Sequence, residues 1–317
     1  MSPNIVFLDM STIDLNDIDF SALEKLGNYT NYQNSNEDEV IFRVKNADII
    51  MCNKTPISKK VIDSLRENSL VTVVATGYNN VDIDSARTRG IVVSNVPGYA
   101  VNTVPQHTFA LILNLATKVY RYYNDVQNGK WHNAESFTLL TYPTVELANK
   151  TIGIIGFGAI GRSVAGIAEA FGMKVLANDS IDSKDSRYGN TDLDYLLRHS
   201  DIVTLHCPLT TQTRNLINKE SIEKMKDGAL LINTARGGIA DECAVATALN
   251  NGKLAGAGFD VLSIEPPKQG NILLSAKNII ITPHCAWSTI EARQRLIDET
   301  VLNIKAFLSG KPRNRVS

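Results

Sequence analysis

The amino-acid sequence predicts an α/β protein of two lobes, each a doubly wound parallel sheet covered by helices, with a cleft between the lobes. Short apolar runs alternate with amphipathic helical stretches through most of the chain, which is typical of parallel strands joined by helices. The chain has 317 residues, whereas a single core stops growing at about 250 to 300 residues. Two series of such strands occur, so each is expected to form its own sheet.

Composition restricts the classes of partner. The chain has 32 Lys and Arg against 33 Asp and Glu, a net charge of -1, so no broad basic surface exists to bind nucleic acid or anionic lipid. The N-terminus lacks a basic region followed by a long apolar one, and no stretch of about 18 apolar residues occurs. A soluble, cytoplasmic protein is therefore expected, with a small molecule as its partner.

The four cysteines, Cys52, Cys207, Cys243 and Cys285, are scattered along the chain. The absence of a C-x-x-C pair or a Cys/His grouping at zinc spacing favours reduced thiols in a chain of this size. Neither a disulfide nor a metal site is expected. A nucleophilic pair of Cys285 and His284 is disfavoured, because neighbouring residues of a strand or turn tend to point apart.

The first lobe is predicted to span residues 1–99. Two amphipathic stretches, "DFSALEKLG" and "SKKVIDSLREN", predict helices. Apolar runs predict four strands, in "NIVFLD", "ADIIMC", "LVTVVAT" and "IVVSN". The last helix of the chain begins with a predicted capping box of Ser288 and Glu291. It is expected to cross back, so that residues 286–317 complete the first lobe.

A long helix is predicted between the lobes, over "TVPQHTFALILNLATKVYRYYNDVQNGKW", with Pro105 in its first turn. The aromatic-rich stretch "NGKWHNAESFTLLTYPTVEL" is interpreted as an excursion from the core. Exposed aromatic side chains there predict a homodimer surface, and packing of the loop on its own lobe is the open alternative.

The second lobe contains a glycine-rich turn between a strand and a helix, "TIGIIGFGAIGRSVAGIAEAFG". Gly156, Gly158 and Gly161 form the G-x-G-x-x-G pattern that binds a dinucleotide pyrophosphate at a helix N-terminus. Asp179 ends the next strand, where its carboxylate can bind ribose hydroxyls and repel a 2′-phosphate. The following "SIDS" supplies no arginine, so NAD is favoured over NADP. S-adenosylmethionine enzymes use a related turn, so this segment alone leaves the cofactor open.

Three polar residues follow later strands of the second lobe. Arg236 follows "ALLINTA", Glu265 follows "LAGAGFDVLSI" and His284 follows "NIIITP", at the edge where parallel sheets bind ligands. Hydride transfer to a 2-keto acid needs a proton donor, and histidine titrates near neutrality. A carboxylate can orient that imidazole, and a guanidinium matches a substrate carboxylate. The sequence therefore predicts His284 as the proton donor, Glu265 as the carboxylate that orients it, and Arg236 as the group that binds the substrate carboxylate.

With these residues in place, the chain resembles a known family, the D-isomer-specific 2-hydroxyacid dehydrogenases, and within it the glycerate dehydrogenase or hydroxypyruvate reductase group. The resemblance covers nearly the whole chain. It is carried by ordered motifs: "NKTPISKKVIDSL", "VVATGYNNVDIDSARTRGIVVSNVPGYA", "GFGAIGR", "LHCPLTTQTRNLI", "LINTARGG", "GFDVL", "EPP", "TPHCAWST" and "NIKAFLSGKP".

The resemblance implies a flavodoxin-like substrate domain of residues 1–99 and 286–317, and a Rossmann NAD-binding domain of residues 100–285. It implies that Arg236, Glu265 and His284 are catalytic. Cofactor contacts are expected from the turn glycines Gly156, Gly158 and Gly161, and from Ala159, Ile160, Asp179, Cys207, Pro208, Thr213, Thr234, Ala235 and Asp260. Substrate contacts are expected from Asn53, Lys54, Gly77 and Tyr78, together with Arg236 and His284.

The chain also departs from the family pattern. Pro105 stands where the family usually carries a small residue, which weakens the expectation of cofactor contacts from Thr103 and Val104. The effector-binding tail of some phosphoglycerate dehydrogenases is missing after Ser317, so serine control is not expected. Trp287 is expected either to shape the substrate pocket or to pack against the last helix.

The sequence therefore predicts an NAD-dependent reductase of small 2-keto acids, with hydroxypyruvate or glyoxylate and D-glycerate as the leading substrates. Another D-2-hydroxy acid, such as lactate or phosphoglycerate, stays open, because one methylene or hydroxyl changes binding by only about 1 to 3 kcal/mol. An NAD(H)-sensing adaptor, similar to the corepressors of the family, is the alternative from a different functional class.

Overall fold

The computed structural model describes residues 2–180 and 188–317, and the chain divides into two compact units. The first unit comprises Met1–Ala100 and Ser288–Ser317, and the second comprises Val101–Trp287. No helix among the described residues is long and apolar enough to cross a membrane.

The regular elements are short strands alternating with helices. In chain order, the strands are β1 (Asn4–Phe7), β2 (Asn28–Asn31), β3 (Ile49–Cys52), β4 (Leu70–Val73), β5 (Val92–Ser94), β6 (Thr151–Ile155), β7 (Lys174–Asn178), β8 (Ile202–Leu205), β9 (Ala229–Asn233), β10 (Leu254–Phe259) and β11 (Ile279–Ile281). The helices are α1 (Ser21–Glu24), α2 (Glu37–Val44), α3 (Lys59–Ser64), α4 (Ile83–Thr88), α5 (Thr103–Thr117), α6 (Val119–Gln127), α7 (Ala159–Ala170), α8 (Leu193–His199), α9 (Lys219–Lys224), α10 (Glu242–Asn250) and α11 (Ile290–Leu308).

The first unit is built on a five-stranded parallel sheet in the order β2-β1-β3-β4-β5. All residues of β3 and β4 are buried, which is why both strands appear in the sequence as continuous apolar runs. The edge strand β2 has the polar sequence NYTN and no buried residue. Its polar sequence does not predict a strand, and only its pairing with β1 identifies it as one.

The second unit contains a six-stranded parallel sheet in the order β11-β10-β9-β8-β6-β7. From β6 the chain moves outward to β7 and then returns to place β8 on the other side of β6. This reversal is a topological switch point, outside which open α/β sheets bind ligands at their carboxyl ends. The predicted α/β class, with two helix-covered parallel sheets, is confirmed.

Two local predictions are wrong. The single long helix predicted after residue 102 is two helices, α5 and α6, because Lys118 adopts a left-handed conformation with φ 59°. A lysine is not a usual helix breaker, so this break could not be predicted from the residue type. The capping box predicted for Ser288 and Glu291 is replaced by Thr289, which accepts a hydrogen bond from the backbone N–H of Ala292 at 3.2 Å.

Candidate active site

The glycine-rich turn joins β6 to α7 at the switch point of the second sheet. A Cβ added at Gly156, where φ is 91°, would collide with the backbone of His206 and Cys207. A Cβ added at Gly161 would collide with the carbonyl oxygen of Gly156, whereas one at Gly158 would meet no described atom within 4 Å. The first and third glycines are therefore required for packing, and the second leaves open space beside the helix start.

That open space lies at the N-terminus of a helix. Among the described residues, no side chain caps α7, whose N-cap is Gly158. The first backbone N–H groups of a helix carry partial positive charge and bind anions. The turn therefore fits the pyrophosphate of a dinucleotide, as its sequence predicts.

Asp179 directly follows β7 and lies beside the same turn. Its Oδ2 accepts a hydrogen bond from the backbone N–H of Phe157 at 2.6 Å, and its own N–H donates to Asn190 Oδ1 at 3.0 Å. The carboxylate thus orders the turn in addition to the ribose contact that the sequence predicts. Residues 181–183 of the "SIDS" stretch, used above to favour NAD, lie outside the described residues.

The other expected cofactor residues follow β8 and β9. After β8, Thr213 Oγ1 donates to the carbonyl of Pro208 at 2.6 Å, and burial raises the pKa of the Cys207 thiol to about 11. After β9, the hydroxyls of Thr234 and Thr108 lie 3.0 Å apart. All of these residues lie at the carboxyl edge of the second sheet, where the sequence places them.

Glu265 and His284 form a close pair. Their Oε2 and Nδ1 atoms lie 2.6 Å apart, and because a carboxylate only accepts, Nδ1 must carry the hydrogen. Oε1 of Glu265 also accepts the backbone N–H of Leu262 at 2.9 Å. His284 itself has a left-handed backbone with φ 53°, a strained conformation that clusters at functional sites. The structure therefore fixes the imidazole by its Nδ1 atom and by its backbone.

Arg236 follows β9, two positions along the sheet from β11. Its Nη1 donates to the carbonyl of Ala235 at 2.7 Å, and its own carbonyl accepts from Asn233 Nδ2 at 2.9 Å. A Cβ at the next residue, Gly237, would collide with the backbone of Leu262. The glycine that the sequence offered for approach to a ligand thus packs the Arg236 turn against the segment that leads to Glu265.

Asp260 holds the loop on which His284 lies. It is 2% exposed, and its carboxylate accepts the Thr282 hydroxyl at 2.6 Å and the backbone N–H groups of Cys285 and Ala286, each at 2.9 Å. Its carbonyl accepts the N–H of His284 at 2.8 Å. The sequence predicted a cofactor contact for this residue and missed its part in ordering the loop.

Two residues of α5, His107 and Thr103, bond to this loop, and the sequence did not predict these bonds. His107 of α5 lies with Nε2 2.9 Å from the Thr282 hydroxyl. Thr103, for which a cofactor contact was considered, donates its hydroxyl to the carbonyl of Ala286 at 3.0 Å. Apart from a histidine and a threonine on an apolar helix, nothing in the sequence indicates these bonds.

The first unit carries a similar loop. Asp9, 3% exposed, accepts the backbone N–H groups of Asn53, Lys54 and Thr55 at 2.6 to 2.8 Å. The Asn53 amide donates to Thr12 Oγ1 at 2.9 Å. Asp9 is thus a positioning residue that the sequence did not reveal, beneath two of the four residues expected to contact substrate in this unit.

The other two expected substrate residues, Gly77 and Tyr78, lie in the loop after β4. Tyr78 is 38% exposed, and its carbonyl accepts the N–H of Val81 at 3.1 Å. The preceding Thr76 is tied to the β5 end, with its hydroxyl donating to the carbonyl of Val96 at 2.9 Å. The loop is therefore ordered from its base, with the tyrosine ring at the surface.

Comparisons with known proteins identify relatives over the whole chain. Residues 109–286 match the family model of the D-isomer specific 2-hydroxyacid dehydrogenase, NAD binding domain. The chain is 43% identical to a glycerate dehydrogenase of Methylorubrum extorquens, over 100% of this chain and 99% of the relative. It is also 43% identical to a hydroxypyruvate reductase of Blautia hydrogenotrophica, over 99% of each.

Solved structures show the same fold. A D-lactate dehydrogenase from Aquifex aeolicus, complexed with NAD and lactic acid, is 33% identical and superimposes with a TM-score of 0.82, covering 97% of this chain and 96% of the other. An acyclic imino acid reductase, Bsp5, in complex with NADPH and D-Arg, is 30% identical with a TM-score of 0.89, covering 99% and 100%. The chain therefore belongs to the D-isomer-specific 2-hydroxyacid dehydrogenases and is an NAD-binding oxidoreductase of that family.

Proposed function

We propose that this protein uses NADH to reduce hydroxypyruvate or glyoxylate, with D-glycerate as the product of the former, and catalyses the reverse oxidation of the D-2-hydroxy acid. The observation that carries the proposal is the 2.6 Å contact between His284 Nδ1 and Glu265 Oε2 at the carboxyl edge of a sheet that also carries a dinucleotide turn. The choice of substrate is supported by relatives named glycerate dehydrogenase and hydroxypyruvate reductase.

In this proposal His284 is the proton donor. Because Glu265 occupies Nδ1, the proton for the substrate oxygen comes from Nε2 of the imidazolium. Glu265 accepts the Nδ1 hydrogen and keeps the ring in one orientation. NADH, when bound, supplies the hydride. Release of the proton leaves a neutral imidazole, which is the base required for the reverse oxidation.

Arg236 is the proposed clamp for the substrate carboxylate. The planar guanidinium matches a carboxylate in bidentate geometry and polarises the adjacent carbonyl. Its backbone is extended, with φ -150° and ψ 140°, and is held by the Asn233 amide. Asn53, Lys54, Gly77 and Tyr78 of the first unit are proposed to complete substrate binding. The proposed donors to an anion are the backbone N–H groups of Gly77 and Tyr78 and the Lys54 ammonium, because the backbone N–H groups of Asn53 and Lys54 already donate to Asp9.

The domain roles follow from the same assignment. We infer that the second unit binds the dinucleotide and that the first unit supplies substrate contacts. Asp179 favours NAD, because a carboxylate accepts ribose hydroxyls and repels a 2′-phosphate. Saturation curves with NADH and NADPH test this, and equal kcat/KM for the two cofactors would contradict it.

The direct experiment follows NADH absorbance with hydroxypyruvate, glyoxylate, pyruvate and 3-phosphohydroxypyruvate. Hydroxypyruvate and glyoxylate are expected to give the highest kcat/KM. A higher kcat/KM with pyruvate or 3-phosphohydroxypyruvate would change the assigned substrate but not the proposed reaction. No turnover with any 2-keto acid, together with NADH-dependent capture of a protein partner, would show that the protein acts as an adaptor and not as an enzyme.

We further propose that the protein is a homodimer. Apolar side chains of α6 and the following segment are exposed, among them Tyr120 at 62%, Trp131 at 52%, Phe137 at 90% and Leu140 at 88%. Such a surface is typical of a protein interface. Light scattering should give a dimer mass for the native protein and a monomer mass for a Phe137→Ser, Leu140→Ser variant. Leu15→Ser, which alters an apolar side chain 73% exposed in the first unit, is the matched control and should stay dimeric.

A cytoplasmic location is proposed on the basis of the thiols. Cys52, Cys207, Cys243 and Cys285 form no disulfide, as is usual for proteins of reducing compartments. Cell fractionation with an antibody to the protein tests the location, and recovery in a secreted or membrane fraction would contradict it.

A further inference from the structure

Three potential metal ligands from distant parts of the sequence converge behind the loop of His284. They are His107 of α5, Asp260 after β10 and Cys285 after β11. One ligand atom of each, an imidazole nitrogen, a carboxylate oxygen and the sulfur, all lie within 4.8 Å of one another. The Nε2 atom of His107 is 3.6 Å from Asp260 Oδ1. No motif spacing connects these residues, which is why no metal site was expected from the sequence.

We propose that His107, Asp260 and Cys285 form a binding site for a thiophilic divalent cation, Zn²⁺ in particular, and that occupation of this site inhibits the enzyme. The inhibition rests on the proposed function, whereas the binding does not.

The donor set and its dimensions fit zinc. Zn²⁺ binds thiolate, imidazole and carboxylate ligands in tetrahedral geometry, and thiolate ligands exclude hard cations such as Mg²⁺. Tetrahedral bond lengths place nitrogen and oxygen ligands about 3.4 Å apart and a sulfur about 3.6 Å from either. The observed 3.6 Å between Nε2 and Oδ1 is close to the distance required of that pair. The Cys285 sulfur lies within 4.8 Å of the other two ligand atoms, so it must move inward by no more than about 1.2 Å. A water can occupy the fourth position.

The protons also balance. An ordinary cysteine thiol has a pKa of about 8.5 and is protonated at neutral pH, whereas Zn²⁺ binds the thiolate. Metal binding replaces that proton: the S–H bond breaks, a Zn–S bond forms, and one H⁺ is released to solvent. In the metal-bound site the cation attracts both the carboxylate and the thiolate, which would otherwise repel each other. This attraction offsets the free-energy cost of deprotonating the thiol.

Inhibition follows from what Asp260 does without metal. Its Oδ1 accepts the Thr282 hydroxyl at 2.6 Å and the Cys285 N–H at 2.9 Å, and His107 Nε2 is 2.9 Å from the same hydroxyl. Because the Thr282 hydroxyl donates its one hydrogen to Asp260, Nε2 of His107 donates to Thr282. A cation at this position takes the Asp260 lone pair that Thr282 now uses, and it requires the neutral His107 ring to carry its hydrogen on Nδ1, which removes the bond to Thr282. The loop that orients His284 therefore shifts, and the expected nicotinamide contact of Asp260 is blocked. NADH and Zn²⁺ should then compete.

The first experiment measures binding without substrate or cofactor. The purified protein is titrated with Zn²⁺ in weak buffer, with proton release recorded, and with Co²⁺ as a spectroscopic substitute. We expect one site, release of about one proton per Zn²⁺, and a sulfur-to-cobalt charge-transfer band. Cys285→Ser should weaken Zn²⁺ binding by at least about tenfold, since even changes outside the ligand shell cost about 10- to 100-fold, and should abolish the band.

Matched variants separate this site from others. Cys243→Ser changes an exposed cysteine on α10 and should leave Zn²⁺ affinity and the cobalt band unaltered. His107→Gln removes a second ligand, while its amide can still bond to Thr282, and should weaken Zn²⁺ binding with the band shifted. If Cys285→Ser and His107→Gln both bind Zn²⁺ as the native protein does, the three residues are only a hydrogen-bond network and the proposal is overturned.

The second experiment measures inhibition of NADH oxidation after incubation with Zn²⁺. Inhibition should be relieved by raising NADH and by a chelator, should be absent with Mg²⁺, and should need at least about tenfold more Zn²⁺ in Cys285→Ser than in Cys243→Ser. Equal inhibition of both variants would overturn the inhibitory role. Zinc binding in a protein that reduces no 2-keto acid would instead contradict the proposed function and leave the site in place.

Discussion

Asp9 in the first unit and Asp260 in the second each order a loop by accepting hydrogen bonds from its backbone. Each is a nearly buried carboxylate that follows a parallel strand, and each accepts backbone N–H groups from the loop after the neighbouring strand. Asp9 orders residues 53–55, and Asp260 orders residues 285–286. In both units a side chain expected to contact substrate, Lys54 or His284, lies on or beside the ordered loop.

The two carboxylates differ in their side-chain neighbours. The carboxylate bonds described for Asp9 come from three backbone N–H groups, whereas Asp260 also bonds to Thr282 and lies 3.6 Å from His107. A carboxylate that accepts only backbone donors can hold a loop and do little else. One that faces titratable and nucleophilic side chains can also couple the loop to a proton or a cation. We therefore propose that the Asp9 loop supports substrate binding and that the Asp260 loop supports the chemistry.

The largest expected effect comes from replacing His284, the proposed proton donor, which lies on the loop that Asp260 orders. His284→Gln should lower kcat by about 10² to 10⁴, the usual contribution of general acid catalysis, while the Kd for NADH stays within about twofold. Stopped-flow turnover and NADH fluorescence titration measure the two quantities. A kcat within tenfold of native would show that the Asp260 loop does not present the proton donor.

The next effect tests the loop anchor in the second unit. Asp260→Asn keeps the shape of the side chain but replaces one acceptor oxygen with a donor, which faces the N–H groups of residues 285 and 286. The loop should shift, and a displacement of about 1 Å costs about 100-fold in kcat. Steady-state kinetics and the Tm check this. A loss confined to Tm, with kcat unchanged, would make Asp260 a purely structural residue.

The matching change in the first unit should affect a different kinetic parameter. Asp9→Asn removes a charge-assisted acceptor, a loss of about 1.5 to 3 kcal/mol, from the loop of Lys54. Because this unit is proposed to bind and not to react, KM for the keto acid should rise about tenfold with kcat changed by less than about threefold. If kcat fell as far as in Asp260→Asn, the distinction between a binding loop and a chemical loop would be lost.

The smallest effect concerns the acid stability of the two units. Burial lowers the pKa of His206 in the second unit from 6.5 to about 3, so between these values the unfolded state binds a proton that the folded state does not. Stability should fall as the pH drops below about 6.5, by up to about 1.4 kcal/mol per pH unit. His206→Asn should flatten this dependence, and His132→Asn, at an exposed position, should not.

The first unit should respond only in stronger acid. The Arg293 guanidinium, bonded to both oxygens of Asp17 at 2.6 Å, lowers the pKa of that carboxyl below 3.8. Its stabilising contribution is therefore complete above about pH 3.8 and is lost as the pH falls through the lowered pKa. Hydrogen exchange followed by mass spectrometry should show protection lost first in residues 101–287. Simultaneous loss in both units would contradict this order.

Local patterns accounted for the strands and the dinucleotide turn. The buried parallel strands β3 and β4 are almost entirely apolar, and Gly161 is required by a contact with Gly156 in the same turn. Gly156 itself is required by the backbone of His206 and Cys207, which follow the neighbouring strand β8. The end of α5 at Lys118 and the edge strand β2 could not be foreseen, because neither has a sequence signal of its own. Both depend on pairing or packing with other segments.

The α/β class, the glycine-rich turn and the polar residue types that follow the strands could be predicted from the sequence, because each is a pattern of neighbouring residues in the chain. The structure was needed to show which carboxylate orders which loop, and that His107 lies beside Thr282 across 175 positions of sequence. Such contacts depend on the order of strands in the sheet. That order is set by the packing of the whole unit, and no single segment encodes it.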